Sequence, residues 1–146
     1  MNEVLFQRLH PDAQLPQQAH HDDAGHDLHA TESVRLAPGA RAAVGCGFAM
    51  ALPATMAALV VPRSGLALKE GLSVLNAPGL IDAGYRGELK VILVNLDPTE
   101  ARDVAIGDRI AQLVLINLPQ VQFAEVTALP ASARGEGGFG STGKGA

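Results

Sequence analysis

Three short segments of the sequence combine glycine with side chains that bind phosphate groups. Residues 62–67 place the guanidinium of Arg63 and the hydroxyl of Ser64 next to a glycine, at the start of a short helical pattern whose free N–H groups favour anions. Residues 107–112 read Gly-Asp-Arg-Ile-Ala-Gln and place charged groups in a turn before a strand. Residues 134–143 contain five glycines with Arg, Ser and Thr, a composition that can wrap a polyphosphate. Each segment alone is a weak signal, because surface ion pairs and exposed termini have the same composition.

A fourth segment places an aromatic ring beside a carboxylate in a glycine turn. Residues 82–87 read Asp-Ala-Gly-Tyr-Arg-Gly and include Tyr85, the only Tyr in the chain, while Phe139 lies in the glycine-rich segment near the C-terminus. Exposed rings of this kind stack on bases or sugars, and each stacking contact is worth about 1 to 3 kcal/mol. The alternative is that each ring packs on its own turn.

The elements that must position these side chains are short strands. The 16 Gly and 9 Pro residues are spread along the chain and interrupt short apolar runs, which indicates an all-β fold. Strands are predicted over residues 4–9, 40–52, 56–61, 88–95, 109–118 and 121–127. Only residues 64–70 predict a helix, with Ser64 as its cap and a stop at Gly71.

Two segments interrupt the strand pattern. Residues 7–29 are polar, contain all five His residues and predict a long surface excursion. Residues 134–146 contain six Gly and nothing that could form a core, so we expect a mobile arm. The predicted organisation is therefore a β-barrel domain over residues 1–133 and a flexible glycine-rich arm over residues 134–146.

The composition argues against several classes of protein. A chain of 146 residues with 47% hydrophobic and 18% charged residues fits one folded globular domain. Its net charge of -4 provides no basic field that would hold nucleic acid. Its apolar runs are far shorter than the roughly 20 residues that cross a bilayer, and its first residues lack a signal-peptide pattern, so we expect a cytoplasmic protein. The lone Cys46 is expected to be a small buried side chain.

Two of the predicted strands are apolar at consecutive positions. Residues 91–94 and 113–116 lack the polar alternation of a strand with one face in water, so both faces need a cover. A chain of this size rarely covers both faces of several strands, which favours self-association. A compact sandwich made by one chain is the alternative.

Five segments, in order along the chain, together resemble the motifs of trimeric deoxyuridine triphosphate nucleotidohydrolases, the dUTPase family. They are Ala24–Leu28, Pro62–Ala67, Gly79–Glu88, Gly107–Leu113 and Arg134–Gly143. Each is weak in isolation, but five in the right order over nearly the whole chain form a specific signature. The second and third look most like those of actinobacterial members. One departure is His26, where many members of the family carry Tyr.

The resemblance implies a distorted jelly-roll β-barrel subunit with one short helix. Three such subunits would form a homotrimer with active sites at the subunit contacts, each closed by a C-terminal arm. The implied reaction is hydrolysis of dUTP to dUMP and pyrophosphate, which keeps uracil out of DNA and supplies dUMP for thymidylate synthesis. The implied cofactor is Mg²⁺, held mainly by triphosphate oxygens and water, which agrees with the preference of this cation for hard oxygen ligands.

The resemblance also implies roles for individual residues. Asp82 would orient and deprotonate the attacking water, and Asp27 would order the site and the metal-bound waters. The residues expected to bind phosphates or otherwise contact the substrate are Arg63, Ser64, Gly65, Lys90 and Gln112. Those expected to read uracil are Asn76 and the backbone of Gly79, Leu80, Ile81 and Asp82, while Tyr85 would pack under deoxyribose and exclude a 2′-hydroxyl. The arm would add Arg134 at a phosphate, Phe139 over uracil, and Gly140, Ser141 and Thr142, with the two hydroxyls at the γ-phosphate.

Several alternatives are open on the sequence alone. Asp27 could be a strand-entry Asp that bonds a nearby backbone group. A transition metal could be ligated by His20, His21, Asp22, Asp23, His26 and His29, although their spacings match no zinc template. The related dCTP deaminases carry a catalytic glutamate where this chain has Ile92, which cannot move protons. A noncatalytic nucleotide-binding module could use the same scaffold, but the intact Asp82 and arm argue against it.

Overall fold

The computed structural model describes residues 3–145 as a mostly β structure with one helix in that range. Its strands are β1 (Leu5–Arg8), β2 (His26–His29), β3 (Val34–Leu36), β4 (Arg41–Gly45), β5 (Phe48–Ala51), β6 (Met56–Val61), β7 (Leu72–Val74), β8 (Gly79–Ile81), β9 (Lys90–Asn95), β10 (Arg102–Val104) and β11 (Arg109–Asn117), and the helix is α1 (Ser64–Glu70). No described helix is long and apolar enough to cross a membrane. The all-β prediction is confirmed.

The strands form four antiparallel sheets around a common core. The larger sheets have the orders β2-β11-β6-β8 and β4-β9-β7, and two-stranded sheets pair β1 with β5 and β3 with β10. One cluster of buried side chains draws Leu28, Val60 and Leu113 from the first large sheet and Val44 and Leu93 from the second. The two large sheets therefore enclose one hydrophobic interior.

The helix has the predicted bounds but not the predicted cap. It runs from Ser64 to Glu70 and is followed by Gly71, which adopts the left-handed conformation. Arg63 is the N-terminal flanking residue, with an extended backbone, and no side chain caps the first turn. The prediction that Ser64 caps the helix is therefore wrong, because Ser64 already has helical geometry and its side chain lies one residue too far along the chain.

The predicted strand over residues 40–52 is two strands, β4 and β5. They are separated at Gly47, which has a φ of +72°. A Cβ at this position would lie 2.7 Å from the Cβ of His10 and 2.8 Å from Cγ2 of Thr31. A residue other than glycine would be strained and crowded there, so the chain turns at this point.

The predictions for two further segments need correction. Residues 121–127 do not form a strand, since no other described strand pairs with them. The excursion is shorter than residues 7–29, because β1 continues to Arg8 and β2 begins at His26. Strands β2, β3, β7, β8 and β10 were not predicted, because three or four residues are too few to show a period.

Exposed apolar side chains are concentrated after the last strand rather than in β9, where the sequence predicted them. In β9, Val91, Leu93 and Val94 are buried by the chain itself and Ile92 is half-buried, so most of this strand is covered without a partner chain. In β11, residues 114–116 are half-buried. Large side chains that are strongly exposed follow β11 at Val121, Phe123, Val126 and Leu129. The apolar surface available for association therefore includes the segment after the last strand.

Cys46 is buried in the β4–β5 connection, as expected. It is 1% exposed, and the buried environment raises the pKa of its thiol to about 12, with the carboxylates of Glu88 and Glu32 adding to the effect. The thiol is therefore neutral and behaves as a small apolar side chain.

A buried amide joins β9 to the chain segments on either side of it. Asn95 is fully buried, and its Nδ2 donates to the carbonyl oxygens of Leu36 at 3.0 Å and Glu100 at 2.8 Å. Its Oδ1 accepts the N–H of Asp97 at 2.9 Å. The Asp97 carboxylate in turn accepts the N–H groups of Thr99 and Glu100 and pairs with Arg102, and these contacts hold the pKa of Asp97 well below its usual range.

We expect Asn95→Ala to lower the free energy of unfolding by about 2 to 4 kcal/mol, because three backbone groups lose their partner in the interior. Urea denaturation monitored by circular dichroism measures this change. The control is Asp103→Asn, which removes the exposed ion pair with Arg35 and should cost less than about 1 kcal/mol. Equal stability of the two variants would contradict this account of Asn95.

Candidate active site

Strand β11 brings the first, second and fourth sequence motifs to one place. Gln112 lies opposite Asp27 on β2 and opposite Val61 on β6, two residues before Arg63. A Cβ at Gly25 would lie 3.2 Å from the side chain of Gln112, so the absence of a side chain at that position makes room for the amide. Residues far apart in sequence therefore form one polar patch at the ends of adjacent strands.

A carboxylate between two guanidinium groups is the electrostatic centre of this patch. The Asp27 side chain is only 9% exposed; its Oδ1 lies 3.5 Å from Nε of Arg63, and its Oδ2 accepts an N–H of Arg109 at 3.3 Å. Arg63 also donates to the carbonyl of Arg109 at 3.3 Å. Because a buried carboxylate is stable only when it is paired, these contacts fix all three side chains relative to one another.

Sequence reasoning missed the role of Arg109. Asp108 and Arg109 are adjacent in the turn but do not pair with each other: the Asp108 carboxylate accepts the N–H of Ala105 at 2.8 Å, and Arg109 bonds Asp27. Gln112, which follows three residues later on β11, is half-buried. No local pattern links residues 27 and 109, and only the strand register places them together.

A polar depression of about 450 Å³ opens beside the two arginines. Its lining includes His29, Arg63, Glu70, Asp108 and Arg109. Burial lowers the pKa of His29, the nearby Asp27 opposes this effect, and Arg109 and Arg63 add to it. The imidazole is therefore neutral at physiological pH, and the arginines supply the positive charge.

The histidine-rich loop does not form a metal centre in the described residues. No group of three or more His, Cys, Asp or Glu side chains within residues 3–145 is arranged to hold an ion. His20 and His21 are exposed, while Nδ1 of both His26 and His29 is buried without a hydrogen-bond partner. The loop bonds to itself instead, since the Asp23 carboxylate accepts the N–H of His20 at 2.8 Å.

The third sequence motif forms a second, separate patch. Strand β8 pairs with β6, and the amide of Asn76 lies close to Gly79, where a Cβ would be 3.3 Å from Nδ2. A depression of about 300 Å³ lies at this end of the sheet; the predicted site residues that line it are Leu80, Ile81, Asp82, Tyr85 and Lys90. Its lining shares no residue with the depression beside the arginines.

The turn that carries Asp82 and Tyr85 is held by its own hydrogen bonds. The N–H of Tyr85 donates to the carbonyl of Asp82 at 3.1 Å, and the Arg86 guanidinium donates to the carbonyls of Ala83 at 2.7 Å and Tyr85 at 2.9 Å. The Tyr85 hydroxyl donates to the carbonyl of Glu88 at 2.9 Å. The ring packs on its own turn and is still 48% exposed, so it presents a flat face in a defined position.

The fifth motif approaches neither patch. Ser64 and Gly65 are exposed at the start of α1, whereas residues 134–143 form hydrogen bonds with one another and with Ser132, and none of them lines either depression. The Phe139 side chain is fully exposed, as the sequence predicted. The structure therefore does not bring the predicted arm residues, Arg134, Phe139, Gly140, Ser141 and Thr142, to the other site residues.

Comparison with known proteins gives a consistent result. The family model for dUTPase matches residues 11–143. Curated deoxyuridine 5'-triphosphate nucleotidohydrolases from Rhodococcus erythropolis and Corynebacterium glutamicum are 54% and 55% identical to the chain; the matches cover 96% and 97% of this chain and 85% and 95% of theirs. The dUTPase of Staphylococcus bacteriophage 80alpha, solved with dUpNHpp, superposes with a TM-score of 0.90 at 29% identity, over 98% of this chain and 99% of that one.

A further solved structure concerns a metal. The dUTPase of phage phi11 of S. aureus, which reveals the coordination of a structural Mg(II) ion, superposes with a TM-score of 0.81 at 25% identity. It covers 89% of this chain and all of that one.

The chain belongs to the dUTPase family. It is an enzyme of that family, a nucleotide hydrolase, and its described strands form the jelly roll of these proteins. The resemblance to actinobacterial members is confirmed by relatives from Rhodococcus, Streptomyces and Corynebacterium.

Proposed function

We propose that the chain hydrolyses dUTP to dUMP and pyrophosphate, by attack of a water molecule that Asp82 orients and deprotonates. The observation that carries the proposal is the division of the motif residues into two patches of different chemistry. One combines guanidinium, hydroxyl and amide groups suited to phosphates, and the other combines strand backbone, a carboxylate and a flat ring suited to a nucleoside. The names of the relatives and the binding of the dUTP analogue dUpNHpp by the 80alpha enzyme support the same substrate.

Asp82 is the group best placed to activate water. It follows β8 directly, is exposed in the second depression, and belongs to a turn whose backbone is fixed by the Tyr85 and Arg86 hydrogen bonds. A positioned carboxylate accepts the proton of the attacking water as the new bond to the α-phosphorus forms. The pyrophosphate leaves as that bond forms, and the arginines stabilise the charge that develops on it.

The second patch supports selection of a deoxyuridine. The backbone of β8 beside Asn76 presents donors and acceptors in a fixed register, so it can pair with uracil as another base would. A narrow strand end of this kind leaves no room for the methyl group of thymine. Tyr85 packs beneath the deoxyribose and leaves no space for a 2′-hydroxyl, and Lys90 contacts the substrate from the same depression.

The first patch is proposed to hold the phosphates. Arg63, Ser64 and Gly65 lie together at the start of α1, with Gln112 on the adjacent strand. Asp27 does not bind phosphate but holds the two arginines in place.

Mg²⁺ would enter this site bound to the triphosphate oxygens of the substrate. The described residues offer no cage of three or more ligands, while Asp27 supplies hard oxygen atoms beside the phosphate-binding residues. Its pairing with two arginines suits an outer-shell contact through water. When bound, the ion neutralises charge on the triphosphate.

A homotrimer would complete the site. The two patches share no lining residue, the arm contacts neither of them, and apolar side chains after β11 are exposed. We call the first patch the phosphate patch and the second the nucleoside patch. Each observation is explained if the nucleoside patch of one subunit faces the phosphate patch of a second subunit, with an arm closing over both. Closure would add Arg134 to the phosphates and Phe139 to the base, and would exclude water.

The deaminase alternative is disfavoured at a specific position. Ile92 lines the second depression, where a proton-transferring group would be required, and an alkyl side chain cannot serve. Pyrophosphate release measured with dUTP, dTTP, dCTP and UTP, together with ammonia release from dCTP, separates the two activities. Saturable dUTP binding without pyrophosphate release in the presence of Mg²⁺ would instead favour the noncatalytic module.

We expect Asp82→Asn to abolish turnover and preserve dUTP binding, because the amide keeps the shape of the side chain but cannot accept the proton of the water. Steady-state pyrophosphate release gives the rate, and isothermal titration calorimetry gives the affinity. Asp12→Asn changes an exposed carboxylate that lines neither depression and should leave both values unchanged. Near-wild-type turnover of Asp82→Asn would refute its assignment as the base.

We expect a chain that ends at Ala133 to remain folded and trimeric but to lose most of its activity. The removed segment makes hydrogen bonds within itself and with Ser132, so its loss leaves the core intact. Light scattering tests the assembly, and pyrophosphate release tests catalysis. Phe139→Ala should show a milder loss that corresponds to stacking of about 1 to 3 kcal/mol. Full activity of a folded, truncated protein would show that the arm takes no part in the reaction.

A further inference from the structure

The turn that carries Tyr85 contains a glycine whose α-carbon lies against the tyrosine ring. A Cβ at Gly87 would lie 2.7 Å from Cζ and 3.0 Å from Cε2 of Tyr85, and it would overlap the hydroxyl oxygen. Contacts this short do not occur between real atoms, so a side chain at residue 87 and the present ring position exclude each other. Gly87 acts as the surface on which the ring rests.

Residues on both sides of this contact are held by hydrogen bonds. The N–H and carbonyl of Tyr85 are both hydrogen-bonded within the turn, to Asp82 and Arg86. On the other side, the Glu88 carboxylate accepts the N–H of Gly47 at 3.1 Å and lies 3.7 Å from Nζ of Lys90. The overlap involves the outer atoms of the Tyr85 side chain, so rotation of that side chain is the least costly way to relieve it, and this rotation breaks the hydrogen bond from the hydroxyl to the Glu88 carbonyl.

Rotation of this ring carries a small cost in stability. Tyr85 is 48% exposed and outside the buried core, so its displacement creates no cavity. The φ of Gly87 also lies outside the left-handed region, so an alanine backbone is accommodated. A change at residue 87 therefore moves the ring without unfolding the protein.

We infer that Gly87 is a positioning residue that sets the sugar selectivity of the enzyme, because it fixes how far the Tyr85 ring projects into the nucleoside patch. This inference rests on the proposed function, in which the ring packs under deoxyribose. A ring that lies flat on Gly87 defines one sugar shape. A displaced ring packs less well under deoxyribose, and it opens space that the 2′-hydroxyl of a ribonucleotide can occupy.

The chain offers a matched control within the same turn. At Gly84 an added Cβ meets no atom within 4 Å beyond its two chain neighbours, and its φ is also outside the left-handed region. Gly84→Ala therefore adds the same methyl group to the same turn, three residues away from Gly87, at a position where no residue beyond the chain neighbours is crowded. Differences between Gly87→Ala and Gly84→Ala report the contact with the ring rather than the loss of a glycine.

A spectroscopic measurement tests the packing directly. Tyr85 is the only Tyr and the chain contains no Trp, so tyrosine fluorescence reports this ring alone. In Gly87→Ala we expect stronger quenching by acrylamide and a weaker near-ultraviolet circular dichroism band, both without nucleotide present. Gly84→Ala should match the wild-type protein in both. An unchanged tyrosine signal in Gly87→Ala would overturn the inference.

The kinetic measurement tests the consequence for the sugar. The ratio of kcat/KM for dUTP to kcat/KM for UTP should fall about tenfold in Gly87→Ala, a loss typical of a site whose shape is relaxed by one methyl group. The ratio should be unchanged in Gly84→Ala. A changed tyrosine signal with an unchanged ratio would refute the selectivity role. If the wild-type protein itself did not hydrolyse dUTP, the proposed function would fail, and the selectivity role with it, whereas the fluorescence result would still report whether Gly87 supports the ring.

Discussion

The register of β11 against its two neighbours is the constraint on which the phosphate patch depends. Because Gln112 is paired with Asp27 on one side and Val61 on the other, residues from three distant segments meet at one edge of a sheet. A shift of one residue would move Gln112 away from Asp27 and Val61 and would turn Ala111 and Leu113 away from the core. The packing of Ile110, Ala111 and Leu113 in the core thus enforces the same register that assembles the polar site.

The buried carboxylate gives this patch its rigidity. Asp27 is almost removed from solvent, so its charge must be balanced by the guanidinium groups of Arg63 and Arg109. Each guanidinium has five N–H donors, and the contacts with Asp27 use few of them. The remaining donors are held in place before any ligand arrives, which lowers the entropic cost of ordering two long side chains around phosphate.

The sequence predicted the longest strands and the bounds of α1, and it failed where local pattern carries no information. Residues 56–61 and 109–118 have enough apolar character to identify β6 and β11, whereas β8 and β10 have only three residues each. The pairing of Arg109 with Asp27 depends on strand register, which no local pattern encodes. The strand expected at residues 121–127 has high β-propensity but no neighbour within the chain, and propensity without a pairing partner does not make a sheet.

The separation of the two patches links catalysis to assembly in the proposed function. A nucleotide that contacts the nucleoside patch of one subunit and the phosphate patch of another binds only the assembled form, so it stabilises the assembly by mass action. The two patches can then be rigid, since each is built on strands of one subunit, and closure is left to the arm, whose side chains lie outside the core. A rigid sheet supplies geometry that an arm of glycines could not hold, and the arm supplies the opening and closing that a sheet could not perform.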